Sequence, residues 1–132
     1  MDVSQMKDGD WAGLASFQRC YGFVGVKKED GQLYLVMHRA MDRNDADGTT
    51  IACVPLKPQT LKVWLRVDHD FRDRTDKATF FYSLDGKQWQ PIGDTLQMHY
   101  DIPDFCGQRF MLFNFGTKVT GGMVDFDFFH VK

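Results

Sequence analysis

The chain has 132 residues, a length that suits one domain with one core. Hydrophobic residues make up 43% of it, with 12 Phe among them, which argues against a disordered chain. Its 16 basic and 18 acidic residues leave a net charge of −2, so it lacks the basic field that nucleic acid or an anionic membrane would need, and no apolar run approaches the roughly 20 residues of a spanning helix.

Read in chain order, short strands alternate with turns and helical periodicity is nearly absent. Trp11 to Gln18 and Tyr21 to Lys28 are the first strands expected. Asp30-Gly31 marks a tight turn into Gln32 to Arg39, the pattern of a β-hairpin. The polar stretch Met41 to Thr49 reads as a loop, and strands resume at Thr50 to Leu56 and Leu61 to Asp68. A charged loop, Asp68 to Lys77, precedes Ala78 to Ser83; Asp85-Gly86 then turns the chain into Gln88 to Ile92. Tyr100 to Cys106 is the one stretch compatible with a helical turn. Arg109 to Phe115 and Met123 to Val131 close the series, separated by Gly121-Gly122. About nine short strands predict an all-β fold, a two-sheet antiparallel sandwich or jelly roll, built on residues 1–132 as a single domain.

Alternation assigns the faces. Leu61, Val63, Leu65 and Val67 share the side expected to face the core, with Lys62, Trp64, Arg66 and Asp68 on the other. In the last run Val124, Phe126 and Phe128 oppose Asp125 and Asp127 in the same way.

Catalytic signals are absent from this pattern. A nucleophile needs an oriented base, and none of His38, His69, His99 and His130 lies in a motif that supplies one. Paired carboxylates for sugar hydrolysis can lie far apart in sequence, but most acidic residues here occupy turns. The loop from Asp42 fails as an EF-hand: with Gly48 sixth, Arg43 is first and Val54 is twelfth, where a bidentate Glu is required. No cofactor is expected, and irregular calcium sites stay open there or at Asp125 and Asp127. Gly121-Gly122 lacks the following helix of a phosphate loop and reads as a turn. Cys20, Cys53 and Cys106 have neither metal-ligand spacing nor an even count, so they are expected as buried thiols. Such thiols lean toward a reducing compartment such as the cytoplasm, and the opening MDVSQMKDGDWAG lacks the regions of a secretory leader.

Aromatics carry the remaining signal, because the C–H face of a pyranose matches the face of Trp or Tyr. Trp64 with Arg66 and Asp68 combines such a ring with polar groups on one strand face, although aromatics in β proteins are more often core. Phe71, in the charged loop, is the other candidate contact, since loops carry function more often than strand interiors.

Six segments, in order and spacing, resemble a known family: DVSQMKDGDWAGLASFQ, YGFVGVKKEDG, LKVWLRVDHDF, ATFFYSLDGKQWQPIGDTL, QRFMLFNFGTK and GGMVDFDFFHV. Together they are similar to the C-terminal accessory domain of family 43 glycoside hydrolases, the β-xylosidases and α-L-arabinofuranosidases. The resemblance implies a concanavalin A-like jelly roll that packs on a five-bladed catalytic propeller, where the catalytic carboxylates reside. It also implies grouping with carbohydrate-binding modules. In that family the domain begins some tens of residues before the DVSQMKDGD segment, so Met1 is expected to stand inside it, with leading strands missing.

The expected function is therefore a non-catalytic module of a plant-polysaccharide-degrading hydrolase. Its expected partners are the propeller, xylo- or arabino-oligosaccharide contacted by Trp64, Arg66, Asp68 and Phe71, and a second copy paired through an exposed sheet edge. A stand-alone carbohydrate-binding protein is the alternative, and an unrecognised hydrolase the third.

Overall fold

A computed structural model describes residues 1–17, 20–40, 48–74, 76–98, 109–118 and 121–131. The Asp30-Gly31 hairpin is present: β2 (Tyr21–Glu29) and β3 (Gln32–Ala40) pair from Glu29↔Gln32 outward. Asp30 and Gly31 have φ of 50° and 80°, so both central residues take the left-handed conformation of the tight turn that matches strand twist. β1 (Asp10–Phe17) lies beside β2, and β4 (Thr49–Pro55) beside β3. The second sheet starts with β5 (Trp64–Asp70) and β6 (Lys77–Ser83), which carries the two-residue strands β7 (Gln90–Pro91) and β8 (Leu96–Gln97). β9 (Arg109–Gly116) returns to pair with β1. The result is two antiparallel sheets, β4-β3-β2-β1-β9 and β5-β6-β7 with β8 beside β6, as expected for a concanavalin A-like sandwich.

The core lies between the sheets. Val24, Val26, Leu35 and Met37 point into it from one side, and Val67 and Phe80 from the other. Removing each such side chain from water stabilises the fold by about 1.5–3 kcal/mol. Val63 and Val67 are buried and Leu65 packs against the same cluster, so the alternation of this strand is as expected over those positions.

Several expectations need correction. Leu61 is 61% exposed, because β5 begins only at Trp64 and Leu61 lies before the sandwich closes. Met123 to Val131 is not a strand: it makes one bridge, Asp125 with Asp2, and then bends at Asp127. Gln88 to Ile92 shrinks to Gln90–Pro91, where Pro91 has no N–H for a ladder. The loop after β5 is shorter than expected, since β5 runs to Asp70 and β6 begins at Lys77. Cys53 is exposed on the end strand β4 and Cys20 is half-buried, so neither is a core thiol. All of the possible calcium loop Asp42 to Gly48 except Gly48, the possible helical turn at 100–106, and with them His99 and Cys106, lie outside the described residues.

Candidate functional site

Strand pairing builds the outer face of the smaller sheet. Arg66 stands opposite Phe81, Trp64 opposite Ser83 and Asp68 opposite Thr79. The Arg66 guanidinium grips Asp68 through two hydrogen bonds, Nε to Oδ1 at 2.7 Å and Nη2 to Oδ2 at 2.5 Å. Held there, it lies 5.2 Å from the Phe81 ring and 5.9 Å from the Trp89 ring, within cation–π range. Three aromatic rings thus share one face with a bidentate ion pair, and the pair leaves part of each polar group exposed to solvent.

The turn after β6 supports this face. Asp85 accepts backbone N–H groups from Gln88 at 2.9 Å and Lys87 at 2.8 Å, and the Ser83 hydroxyl at 2.9 Å. These donors, the Gln88 amide first, hold its carboxyl at about 2, so it is ionised at neutral pH and the turn is fixed. Gly86 in that turn lies against the Trp64 indole, where a Cβ would come 3.0 Å from Cε2. Trp64 is consequently half-buried under the turn, and not inserted between the sheets.

Trp64, Arg66 and Asp68 share this face, whereas Phe71 does not join them. It follows β5, is 59% exposed, and meets the edge of His69 at 5.6 Å. Sequence reasoning missed Phe81 and Trp89. Phe81 was legible in the run TFFYS, because adjacent Phe80 and Phe81 in a strand must face opposite ways and Phe80 takes the core. Trp89 carried no periodic signal, since its position depends on the Asp85 turn.

His69 faces inward and meets Ser16 across the sandwich, with Oγ 2.8 Å from Nε2. That distance matches a nucleophile and its base, but Ser16 is fully buried and no substrate carbonyl reaches it. The bond satisfies a buried hydroxyl. The His69 ring also stacks on Phe110 at 4.3 Å. Burial lowers its pKa below the ordinary histidine value, outweighing the opposing charge of Asp68. Among the described residues no group of three or more His, Cys, Asp or Glu could hold a metal ion.

The outer face of the five-stranded sheet is also aromatic. Trp11 stacks on Phe115 at 6.1 Å, and Phe23 meets Phe113 at 4.6 Å and His38 at 5.1 Å. Lys27 lies over Trp11 at 5.2 Å and Tyr34 at 5.6 Å. At the centre, Gly13 pairs with Gly25, and a Cβ on either would lie 2.3 Å from a carbonyl oxygen of the neighbouring strand. With no side chains at these two positions, Trp11 and Phe23 can lean together edge to face above the strands.

The family model for the β-xylosidase C-terminal concanavalin A-like domain matches residues 1–132. A β-xylosidase of Formosa agariphila is 27% identical over 129 residues, which cover 97% of this chain and 19% of that protein. Among solved structures, a bifunctional GH43-CE protein of Bacteroides eggerthii superposes with a TM-score of 0.83 at 48% identity, covering 92% of this chain and 15% of that one. A GH43 glycoside hydrolase engineered at its active site to display both endo-xylanase and exo-arabinofuranosidase activity gives the same TM-score at 30% identity, covering 92% and 26%. The chain thus spans about a fifth of the curated relative's length.

Proposed function

The chain belongs to the β-xylosidase C-terminal concanavalin A-like domain family, non-catalytic accessory β-sandwiches of GH43 proteins, and from that premise we propose that it serves a larger plant-polysaccharide-degrading glycoside hydrolase. In this reading residues 1–132 belong to one larger domain that packs against a catalytic propeller and contacts xylan- or arabinan-type sugar. The observation that carries the sugar contact is the gathering of Trp64, Phe81 and Trp89 around the Arg66–Asp68 pair. Apolar ring faces suit the C–H face of a pyranose, and a partly exposed guanidinium and carboxylate suit its hydroxyls. Phe71, exposed beyond the end of β5 and apart from that group, would be a separate contact. Copies of the domain associate through an exposed sheet edge, for which the end strand β4 offers exposed backbone and the apolar side chains Ile51 and Val54.

The test is titration of the purified chain with xylo- and arabino-oligosaccharides by calorimetry or protein-observed NMR. Weak binding that falls about tenfold in Trp64→Ala, equivalent to about 1.4 kcal/mol, is the expected result. An unchanged affinity in a folded Trp64→Ala variant removes the proposed sugar contact. Light scattering at micromolar concentration tests association, and a clean monomer removes the edge-pairing reading.

A further inference from the structure

The charges along β5 are closed into pairs. A cleft of about 1340 Å³ runs beside the strand and takes in the outer-face group of Trp64, Arg66, Asp68, Phe81 and Trp89. Six Lys, Arg and Asp side chains line it, and each finds its opposite within the cleft. Lys62 meets Asp127 at 3.0 Å, Arg66 meets Asp68 at 2.5 Å, and Arg72 meets Asp70 at 3.0 Å. Among the described residues these side chains sum to no net charge. None is hidden, since they are between 37% and 87% exposed.

The middle pair governs the aromatic group. Arg66 commits its Nε–H and one Nη2–H to Asp68, the edge with which a guanidinium grips a carboxylate side-on. A ligand carboxylate is left only the Nη1 side, where it would meet the negative charge of Asp68. A ligand cation is refused as well, because Arg66 already lies over the Phe81 and Trp89 rings. What remains is a donor beside an acceptor, Nη1 of Arg66 and the spare lone pairs of Asp68. That set matches two neighbouring hydroxyls, one accepting and one donating, and asks no charge of the ligand. Along the strand, Trp64, Arg66, Asp68 and Asp70 share one face by alternation over about 20 Å, the span of several pyranose units.

We propose that Asp68 is the specificity-determining residue of this face: by closing the carboxylate-binding edge of Arg66, it selects an uncharged oligosaccharide along β5 and rejects one that carries a uronate. The inference rests on the sugar contact proposed above and adds which sugars that contact admits. Arg66 alone would give the reverse preference, since a guanidinium free to bind side-on is a carboxylate site. Asp68 turns the same ring-flanked arginine into a neutral donor–acceptor pair.

The test compares two xylo-oligosaccharides of equal backbone length, one uncharged and one bearing a single glucuronate, in NMR titrations of the chain. The unaltered chain is expected to bind the glucuronate form no more tightly than the uncharged one. Asp68→Asn keeps the shape and an oxygen for Arg66 but removes the charge. It should move the ratio of the two affinities toward the glucuronate form by about fivefold, and Asp68→Ser should move it the same way. High salt should shrink that gain, and adding Arg66→Gln should abolish it. A ratio is read because a general loss of folding or binding weakens both ligands alike. If neither ligand binds the unaltered chain, the sugar contact fails and this inference falls with it. If the unaltered chain prefers the glucuronate form, or both Asp68 variants leave the ratio unchanged, the sugar contact stands and Asp68 does not set its specificity. A gain that survives the loss of Arg66 overturns the proposal in the same way.

Discussion

On the five-stranded sheet the outward rings pack on one another, whereas on the smaller sheet they gather around an ion pair. Trp11, Phe23, Phe113 and Phe115 make ring-to-ring contacts, and Phe23 is only 7% exposed although it lies outside the sandwich. With Ala15 and Val36 it forms a second, smaller core. On the other sheet Arg66 occupies the centre, so Phe81 and Trp89 flank a guanidinium. The difference comes from the central residues: a bare Gly13–Gly25 pair lets rings settle into a packed layer, while an Arg–Asp pair keeps polar groups at the surface between them. The first face therefore contributes mainly to stability, and the second is the face on which we place the proposed ligand contact.

That contrast can be broken by mutation. Phe23→Ala should produce the largest effect, a loss of about 3 kcal/mol in urea unfolding, because it empties the centre of the outer cluster. Phe81→Ala should lose no more than about 1 kcal/mol in the same measurement, since its ring covers a sheet face and fills no cavity. If Phe81→Ala proves as costly as Phe23→Ala, the two faces are alike and the comparison fails. Trp89→Ala should be smaller still in stability, within about 0.5 kcal/mol, while weakening oligosaccharide binding in the same titration as Trp64→Ala. A Trp89→Ala variant that binds normally would narrow the contact to β5 and β6.

The smallest effect expected is a pH dependence from His69, which bridges the two sheets. Burial lowers its folded pKa below the unfolded value near 6.5, so the unfolded chain binds the proton more readily. Stability should decline as pH falls through about 6.5 and level off below the folded pKa. Denaturation midpoints at pH 7.5 and pH 5 measure this, and the part lost in His69→Gln belongs to His69. A variant that keeps the full pH dependence would assign it to other groups.

What the sequence by itself determined was local. Asp30-Gly31 dictated its hairpin because both residues accept a positive φ, and the Val63, Leu65 and Val67 alternation dictated a face because strand side chains repeat every second residue. The ordered segments identified the family, and Trp64, Arg66 and Asp68 were legible as one face of one strand. Tertiary structure decided whatever depends on a neighbour from elsewhere in the chain. Met123 to Val131 alternates like a strand but makes a single bridge, because a strand exists only where another backbone runs beside it, and past Asp2 none among the described residues does. Ser16 and His69 meet 53 positions apart, and Trp89 reaches Arg66 only through the turn that Asp85 ties. Such meetings follow from sheet stacking and hydrogen-bond closure, neither of which leaves a period in the sequence.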